Sequence, residues 1–151
     1  MKVAIASDHA GFPLKDHLRA YLEQQGHEVL DLGTDTPDVP TDYPDHAAAI
    51  AQAVLDGRAE RGILACGSGV GASVAANKFD GIYAGLTHDT YSAAQGVEHD
   101  RMNVLCVGAR VIGVKVAESL ADAFLGAVPN DEARFARRFN KLLDIEKQQR
   151  G

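Results

Sequence analysis

The chain has 151 residues and a mass of 16.0 kDa, which is enough for one domain and leaves no room for a second of ordinary size. Hydrophobic residues make up 46% and charged residues 24% of the sequence, a balance that excludes disordered, collagen-like and coiled-coil proteins. Fifteen basic and 21 acidic residues give a net charge of −6, which argues against nonspecific nucleic-acid binding because that needs a basic surface. Apolar runs are only a few residues long, so no segment is expected to span a membrane.

Strand and helix patterns alternate from the first residue. A buried strand is predicted over 2–7, and Pro13 suits the first turn of the helix that follows. Gly26 ends that helix, and the second strand is predicted over 27–32. The stretch 33–45 holds three of the five prolines and is predicted to be the longest loop.

The second half of the chain repeats this alternation. A helix is predicted over 46–55 and a strand over 61–66, followed by a glycine loop over 67–71 and a helix to about 79. Two strands, over 82–86 and 103–107, come next, with a helix over 89–96 between them. Helices over 114–125 and 131–148 complete the chain. Such alternation implies right-handed crossovers between parallel strands. We therefore predict one domain over 1–151, a three-layer α/β/α Rossmann-like fold with a five-stranded parallel sheet.

Reactive side chains follow the carboxyl ends of four predicted strands. These segments read SDHAG at 7–11, CGSGVG at 66–71, THD at 87–89 and GAR at 108–110. Because the carboxyl ends of parallel strands meet at one edge of the sheet, ligands bind there in folds of this class. We therefore expect a site at this edge.

The glycine loop is the most informative of these segments. Gly67, Gly69 and Gly71 allow the backbone to curve closely around an anion, either a phosphate or an oxyanion formed during a reaction. A strand-to-helix turn without a ligand is the alternative. The loop also fits a loose dinucleotide pattern, but it follows the third strand, and too little chain remains for a dehydrogenase. A Walker loop is excluded because no Gly-Lys-Ser/Thr follows. A nucleophile elbow, G-x-S-x-G, is excluded because Cys66 and Val70 stand two positions from Ser68 where that motif has glycine.

Two cysteines, without a CxxC motif, fit a reducing cytoplasm better than a disulfide scaffold. Cys66 lies between a strand and the glycine loop, where a thiolate is favoured, so it is either a base or nucleophile or a small buried side chain. Cys106, within the fifth strand, is predicted to be a core residue. No Cys/His spacing typical of zinc is present, so we expect no metal.

The six histidines differ in their surroundings. His9 and His99 neighbour acidic residues at predicted loop positions and could relay protons near neutral pH, and His88 could do the same after the fourth strand. His17 and His46, like a third histidine at the start of the second strand, are expected to have surface roles.

The last predicted helix concentrates arginine. Arg134 and Arg138 are one helical turn apart and share a face, and Arg137 lies beside them. Such a group is either a solvated charged face or a clamp for phosphate, which guanidinium groups bind through two parallel hydrogen bonds.

Taken together, several motifs resemble the type B ribose-5-phosphate isomerases and the related galactose-6-phosphate isomerases. They are SDHAGFPLK, TDYPDHA, ILACGSGVGASVAANK, HDTYSA, EHDRMNVLCVGARVIG and the arginine-bearing tail, and they cover about residues 2–145 in the right order. The resemblance implies a cytoplasmic homodimer or homotetramer with active sites at the subunit interface, to which the helix at 131–148 belongs. It also implies interconversion of aldose and ketose phosphates without a metal or an organic cofactor.

The resemblance further implies a role for each matching residue. Cys66 would be the base that moves a proton between C1 and C2, the N–H groups of the loop from Gly67 to Gly71 would bind the enediolate oxygen, and Ser68 and His99 would assist ring opening. Asp8 and Tyr43 would bind the sugar hydroxyls, with Asn103 nearby. The phosphate would be bound by His9, Arg110, Arg134 and Arg138. The last two, which belong to the tail, can come from the partner subunit.

Two positions depart from the pattern of the relatives. Asp100 occupies a substrate-binding position where relatives usually carry Asn, and an ionised carboxylate there would repel an enediolate. Either Asp100 is protonated, or it points elsewhere, or the substrate differs. Tyr83 replaces a common Arg. We therefore expect a ribose 5-phosphate isomerase. The alternatives are an isomerase of galactose or allose 6-phosphate, a non-catalytic sugar-phosphate binding module, and a cysteine hydrolase that uses Cys66 with His99.

Overall fold

Five parallel strands form one sheet in the structure, a computed structural model that describes residues 1–150. The strand order is β2-β1-β3-β5-β4. The strands are β1 (Lys2–Ser7), β2 (Glu28–Asp31), β3 (Arg61–Cys66), β4 (Ala84–Leu86) and β5 (Val104–Gly108). The helices are α1 (Phe12–Gln24), α2 (Tyr43–Leu55), α3 (Val70–Ala76), α4 (Thr90–Asp100), α5 (Val114–Gly126) and α6 (Ala133–Gln149).

Helices cover both faces of the sheet, which confirms the predicted three-layer α/β/α Rossmann-like fold. On one face α1, α4 and α5 bury side chains such as Leu18 and Phe124 against the strands. On the other face α2 and α3 pack through Ile50 and small alanines. The central strands are buried on both sides, so their sequences are continuous apolar runs rather than alternating ones.

The strand register brings the reactive segments to one edge. Ser7 pairs with Ala65, and Cys66 pairs with Gly108, so β1, β3 and β5 end at the same level. The loops that follow these three strands therefore open side by side.

Several element boundaries differ from the prediction. α2 begins at Tyr43 rather than at residue 46, because Pro44 fits the first helical turn. α4 continues through Gly96 to Asp100, where the prediction ended it at 96. A β-carbon on Gly96 would be 3.0 Å from the sulfur of Met102, so glycine at this helical position makes room for that side chain. His99 is consequently a helical residue, and its predicted loop position is wrong. β1 and β3 have the predicted bounds, and the remaining boundaries lie within three residues of the prediction.

The last helix, α6, packs on α4 and on the start of β4. Phe135 is its buried residue among those described, and Phe139 meets the ring of Tyr83 edge-on. The carboxylate of Glu146 accepts hydrogen bonds from the Gly81 N–H and the Tyr83 hydroxyl. Tyr83 thus anchors α6. Within residues 1–150, no helix is both long and apolar enough to cross a membrane.

Candidate active site

A cleft of about 390 Å³ opens at the carboxyl edge of the sheet. It lies between the loops after β1, β3 and β5 and the start of α2. The residues that line it are Asp8, His9, Ala10, Tyr43, Cys66, Gly67, Ser68, Gly71, Arg110 and Val111. Most of the residues proposed from the strand ends are therefore gathered in one place.

Cys66 ends β3 at the floor of this cleft and is only 4% exposed. Its Sγ accepts a hydrogen bond from the backbone N–H of Gly69, at 3.0 Å. Gly69 has a φ of +81°, a left-handed conformation that glycine adopts readily and from which the chain enters α3. A donor interacts more strongly with a thiolate than with a thiol, so the loop supports negative charge on this atom.

The N–H groups of the glycine loop are only partly free. The N–H of Gly69 is bound to the thiol, and that of Val70 donates to the Ser68 hydroxyl at 3.2 Å. The N–H of Gly71 lies in the first turn of α3, where it has no preceding carbonyl as a partner. Since Gly71 lines the cleft, its N–H can reach an anionic oxygen there.

Two large side chains lie directly against glycines of the loop. A β-carbon on Gly71 would be 2.7 Å from the ring of Tyr43, so only glycine allows the ring to lie there. A β-carbon on Gly67 would be 3.3 Å from a guanidinium nitrogen of Arg110. The Arg110 N–H also donates to the Gly67 carbonyl at 3.0 Å, which ties the end of β5 to the loop.

The loop after β1 supplies a carboxylate and an imidazole. Asp8 is 7% exposed, and its Oδ1 accepts a hydrogen bond from the Gly11 N–H at 2.9 Å. The Thr41 N–H donates to His9 Nδ1 at 3.1 Å. The Thr41 carbonyl oxygen lies 3.2 Å from the same Nδ1, so Thr41 holds the His9 ring whichever nitrogen carries the proton.

Thr41 and His46 lie behind His9 without lining the cleft, and the sequence did not single them out for the site. His46 Nε2 lies 2.9 Å from the Thr41 hydroxyl, and burial lowers the pKa of His46, so the ring is neutral at pH 7. Its predicted surface role is wrong, because the ring is half-buried behind the residue that holds His9. The available signal was the motif TDYPDH, which surrounds the start of α2.

A second cluster of predicted site residues surrounds Phe135. The His99 ring stacks on Phe135 with centroids 4.0 Å apart and planes 15° apart. The guanidinium carbons of Arg134 and Arg138 lie 4.5 and 5.9 Å from the centroid of the same ring. This cluster is built by α4 and α6 and does not line the cleft of its own chain. Asp100 is next to it and faces a separate cavity of about 350 Å³.

Asn103 does not reach the cleft within one chain. It precedes β5, whereas the cleft lies where β5 ends. Its side chain is already used: Oδ1 accepts from the Tyr83 N–H and Nδ2 donates to the Gly81 carbonyl, both at 2.8 Å. Asn103 holds the start of β4 instead.

His88 and Cys106 have structural partners. His88 Nε2 accepts a hydrogen bond from the Gly108 N–H at 3.1 Å, which joins the ends of β4 and β5 beside the glycine loop. Cys106 is fully buried in the core, as predicted, and burial raises the pKa of its thiol far above the ordinary range. Among residues 1–150, no group of three or more His, Cys, Asp or Glu side chains could hold a metal ion.

Known proteins resemble this chain along almost its whole length. The family described as Ribose/Galactose Isomerase matches residues 3–142. Ribose-5-phosphate isomerase B of Escherichia coli is 43% identical over 145 residues, 96% of each chain. D-erythrulose-4-phosphate isomerase 2 of Mycolicibacterium smegmatis is 38% identical and covers 97% of each chain.

Solved structures agree with the sequence comparison. The structure of Clostridium thermocellum ribose-5-phosphate isomerase B superposes with a TM-score of 0.94, at 40% identity and 99% coverage of each chain. Fold, length and sequence therefore match together, and the chain belongs to the ribose/galactose isomerase family.

Proposed function

We propose that this protein interconverts ribose 5-phosphate and ribulose 5-phosphate by proton transfer through an enediolate, with Cys66 as the base. The observation that carries the proposal is the thiol at the floor of the cleft, which accepts an N–H from its own loop and shares the cleft with Asp8 and Arg110. Both cysteines are free thiols, which agrees with a reaction in a reducing cytoplasm.

The proposed chemistry needs a base and a means of stabilising the enediolate. A proton next to a carbonyl is too weakly acidic for a thiolate in water, so the negative oxygen of the intermediate has to be stabilised, as the N–H of Gly71 is positioned to do. Asp8 and Tyr43 would hold sugar hydroxyls, and Ser68 would assist ring opening. Phosphate contacts far from C1 and C2 would orient the reacting carbons.

A second copy of the chain would complete the site. The cleft contains Arg110 and His9, whereas His99, Arg134 and Arg138 form their own cluster elsewhere on the subunit. We therefore propose a homodimer, or a tetramer of such dimers, in which one subunit brings this cluster to the cleft of the other.

Exposed apolar side chains support an interface at both places. Val70 and Val74 are 53% and 58% exposed on α3, next to the cleft. Leu142 and Ile145 are exposed on α6, which carries the arginines, so the predicted helix at 131–148 would lie at the interface.

Sugar phosphates of other chain lengths are alternative substrates. A four-carbon sugar phosphate is suggested by the name of the Mycolicibacterium smegmatis relative, and a six-carbon one by the family description, which names galactose. Galactose and allose 6-phosphate are the six-carbon candidates. The observation that favours testing them is Asp100, which has no hydrogen-bond or ion-pair partner within residues 1–150. An unpaired carboxylate beside the cationic cluster would select for substrate hydroxyls.

Turnover of ribose 5-phosphate in the presence of EDTA tests the proposal, with wild type compared with Cys66→Ala. Cys106→Ala is the matched control, because it removes a thiol from the core rather than from the cleft. We expect wild type and Cys106→Ala to turn over and Cys66→Ala to bind sugar phosphate without turnover. Activity in Cys66→Ala would refute the role of the thiol.

The same assay, run with four-, five- and six-carbon aldose phosphates, determines which sugar phosphate is the preferred substrate. The highest kcat/KM for ribose 5-phosphate supports the leading proposal. Preference for another sugar replaces the substrate and keeps the chemistry. Saturable binding without turnover of any sugar would instead support a non-catalytic binding module.

A further inference from the structure

The imidazole of His99 is held on its face and at one nitrogen. Its face stacks on the buried ring of Phe135, with planes only 15° apart. Its Nδ1 lies 2.8 Å from the side-chain nitrogen of Gln95, one helical turn earlier on α4. An amide nitrogen can donate but not accept, so Nδ1 is the acceptor in this arrangement and the ring proton is on Nε2.

The same phenyl ring contacts both arginines of the cluster. The guanidinium carbon of Arg134 lies 4.5 Å from the Phe135 centroid and that of Arg138 lies 5.9 Å from it. Both side chains are long and otherwise free to rotate, apart from the bond of Arg134 to Glu132. A shared aromatic surface restricts them to neighbouring directions, and cation–π attraction adds to this.

We propose that Gln95 and Phe135 are positioning residues for the cluster: Gln95 fixes the tautomer of His99, and Phe135 fixes the plane of its ring and the direction of the two guanidinium groups. The cluster then offers only hydrogen-bond donors, namely Nε2–H of His99 and the N–H groups of Arg134 and Arg138. A surface of this kind fits the oxygen atoms of a sugar phosphate. This inference rests on the proposed function, in which the cluster binds substrate.

Imidazole ¹⁵N NMR of histidine-labelled protein without substrate tests the role of Gln95. His99→Gln assigns the signal, and wild type is expected to show a single tautomer with Nδ1 unprotonated and Nε2 protonated. Gln95→Leu should give a mixture of the two tautomers, while Gln52→Leu, which removes an exposed amide from α2, should leave the signal unchanged. A wild-type spectrum with Nδ1 protonated, or no change in Gln95→Leu, would overturn the assignment.

Binding of inorganic phosphate, measured by calorimetry, tests the role of Phe135. Phe135→Leu is expected to weaken binding about fivefold, and Phe135→Tyr to restore it to within about twofold, because the aromatic face is kept. The control is Phe139→Leu, the same change one turn later on α6, where the ring packs on Tyr83. Equal loss of phosphate binding in both leucine variants would reduce Phe135 to a general anchor of the helix and overturn the inference.

These readouts are independent of catalysis. If no sugar phosphate is turned over but the tautomer and phosphate binding respond as expected, the proposed function fails and the positioning roles stand. If turnover is normal and neither measurement responds, the positioning roles fail and the proposed function stands. Should Phe135→Leu not fold, the wild-type spectrum and Gln95→Leu still decide the role of Gln95. Phe135→Met, which keeps an apolar side chain of similar size without an aromatic face, then replaces Phe135→Leu in the phosphate titration.

Discussion

Replacing Gly69 with alanine tests how tightly the loop after β3 is held around the thiol. The φ of +81° costs a residue with a β-carbon about 1–2 kcal/mol. That atom would also lie 2.6 Å from Leu86 Cδ1 and 2.9 Å from the carbonyl carbon of Val107. The backbone contact can be relieved only if the loop moves, which adds about 1–3 kcal/mol. Gly69→Ala should therefore lower the free energy of unfolding by about 2–5 kcal/mol.

Gly57 provides the matched control for this substitution. It has a φ of +73°, but nothing lies within 4 Å of the position of an added β-carbon. Gly57→Ala therefore carries only the conformational cost, about 1–2 kcal/mol. The comparison separates the effect of the left-handed backbone from the effect of the close contact.

Urea unfolding and steady-state kinetics measure the two consequences. Movement of the loop withdraws the N–H that lies 3.0 Å from the sulfur of Cys66. Hydrogen bonds to charged groups contribute about 1.5–3 kcal/mol, so kcat of Gly69→Ala should fall about 10- to 100-fold. Gly57→Ala should keep the wild-type kcat. Equal stability losses in the two variants, or full activity in Gly69→Ala, would refute this reasoning.

Three further predictions concern His46, Arg138 and Tyr83. Burial lowers the pKa of His46 in the fold, so the contribution of its neutral ring to stability is complete above the unfolded pKa of about 6.5 and is lost as pH falls below that value. Urea unfolding should show this loss in wild type and not in His46→Gln, and identical pH profiles of the two proteins would contradict the prediction. Arg138→Ala should raise KM about 10- to 100-fold with little change in kcat, whereas Arg137→Ala, which removes an exposed arginine next to it, should leave KM unchanged. A lower kcat at unchanged KM in Arg138→Ala would rule out the phosphate role. Tyr83→Phe removes the hydrogen bond to Glu146 and should lower the free energy of unfolding, measured in urea, by about 1 kcal/mol. An unchanged free energy of unfolding would show that this bond does not hold α6.

The sequence was most informative where local pattern and sheet geometry act together. Parallel strands end at one edge, so Asp8, Cys66 and Arg110 could be expected in one place from the residues that follow three apolar runs. Cys106 could likewise be assigned to the core, because it lies inside such a run.

The pattern gave less guidance where contacts are long-range. Gly96 looks like a helix end, but α4 continues through it, and the glycine instead makes room for the sulfur of Met102. His99 is therefore a helical residue. The contact of Thr41 with His9 spans 32 positions and depends on the path of a proline-rich loop, which has no periodicity to read. Phe135 looks like an ordinary apolar residue of an amphipathic helix until α4 is packed beside it.

The most direct test of proton transfer by Cys66 is isotope exchange in D₂O. Ribose 5-phosphate is incubated with the protein, and deuterium in the recovered sugar phosphates is measured by NMR. Transfer through an enediolate with a thiol base predicts solvent deuterium at C1 of ribulose 5-phosphate, with Cys66→Ala abolishing both exchange and product. Deuterium exchange, or formation of ribulose 5-phosphate, that persists in Cys66→Ala would contradict the account.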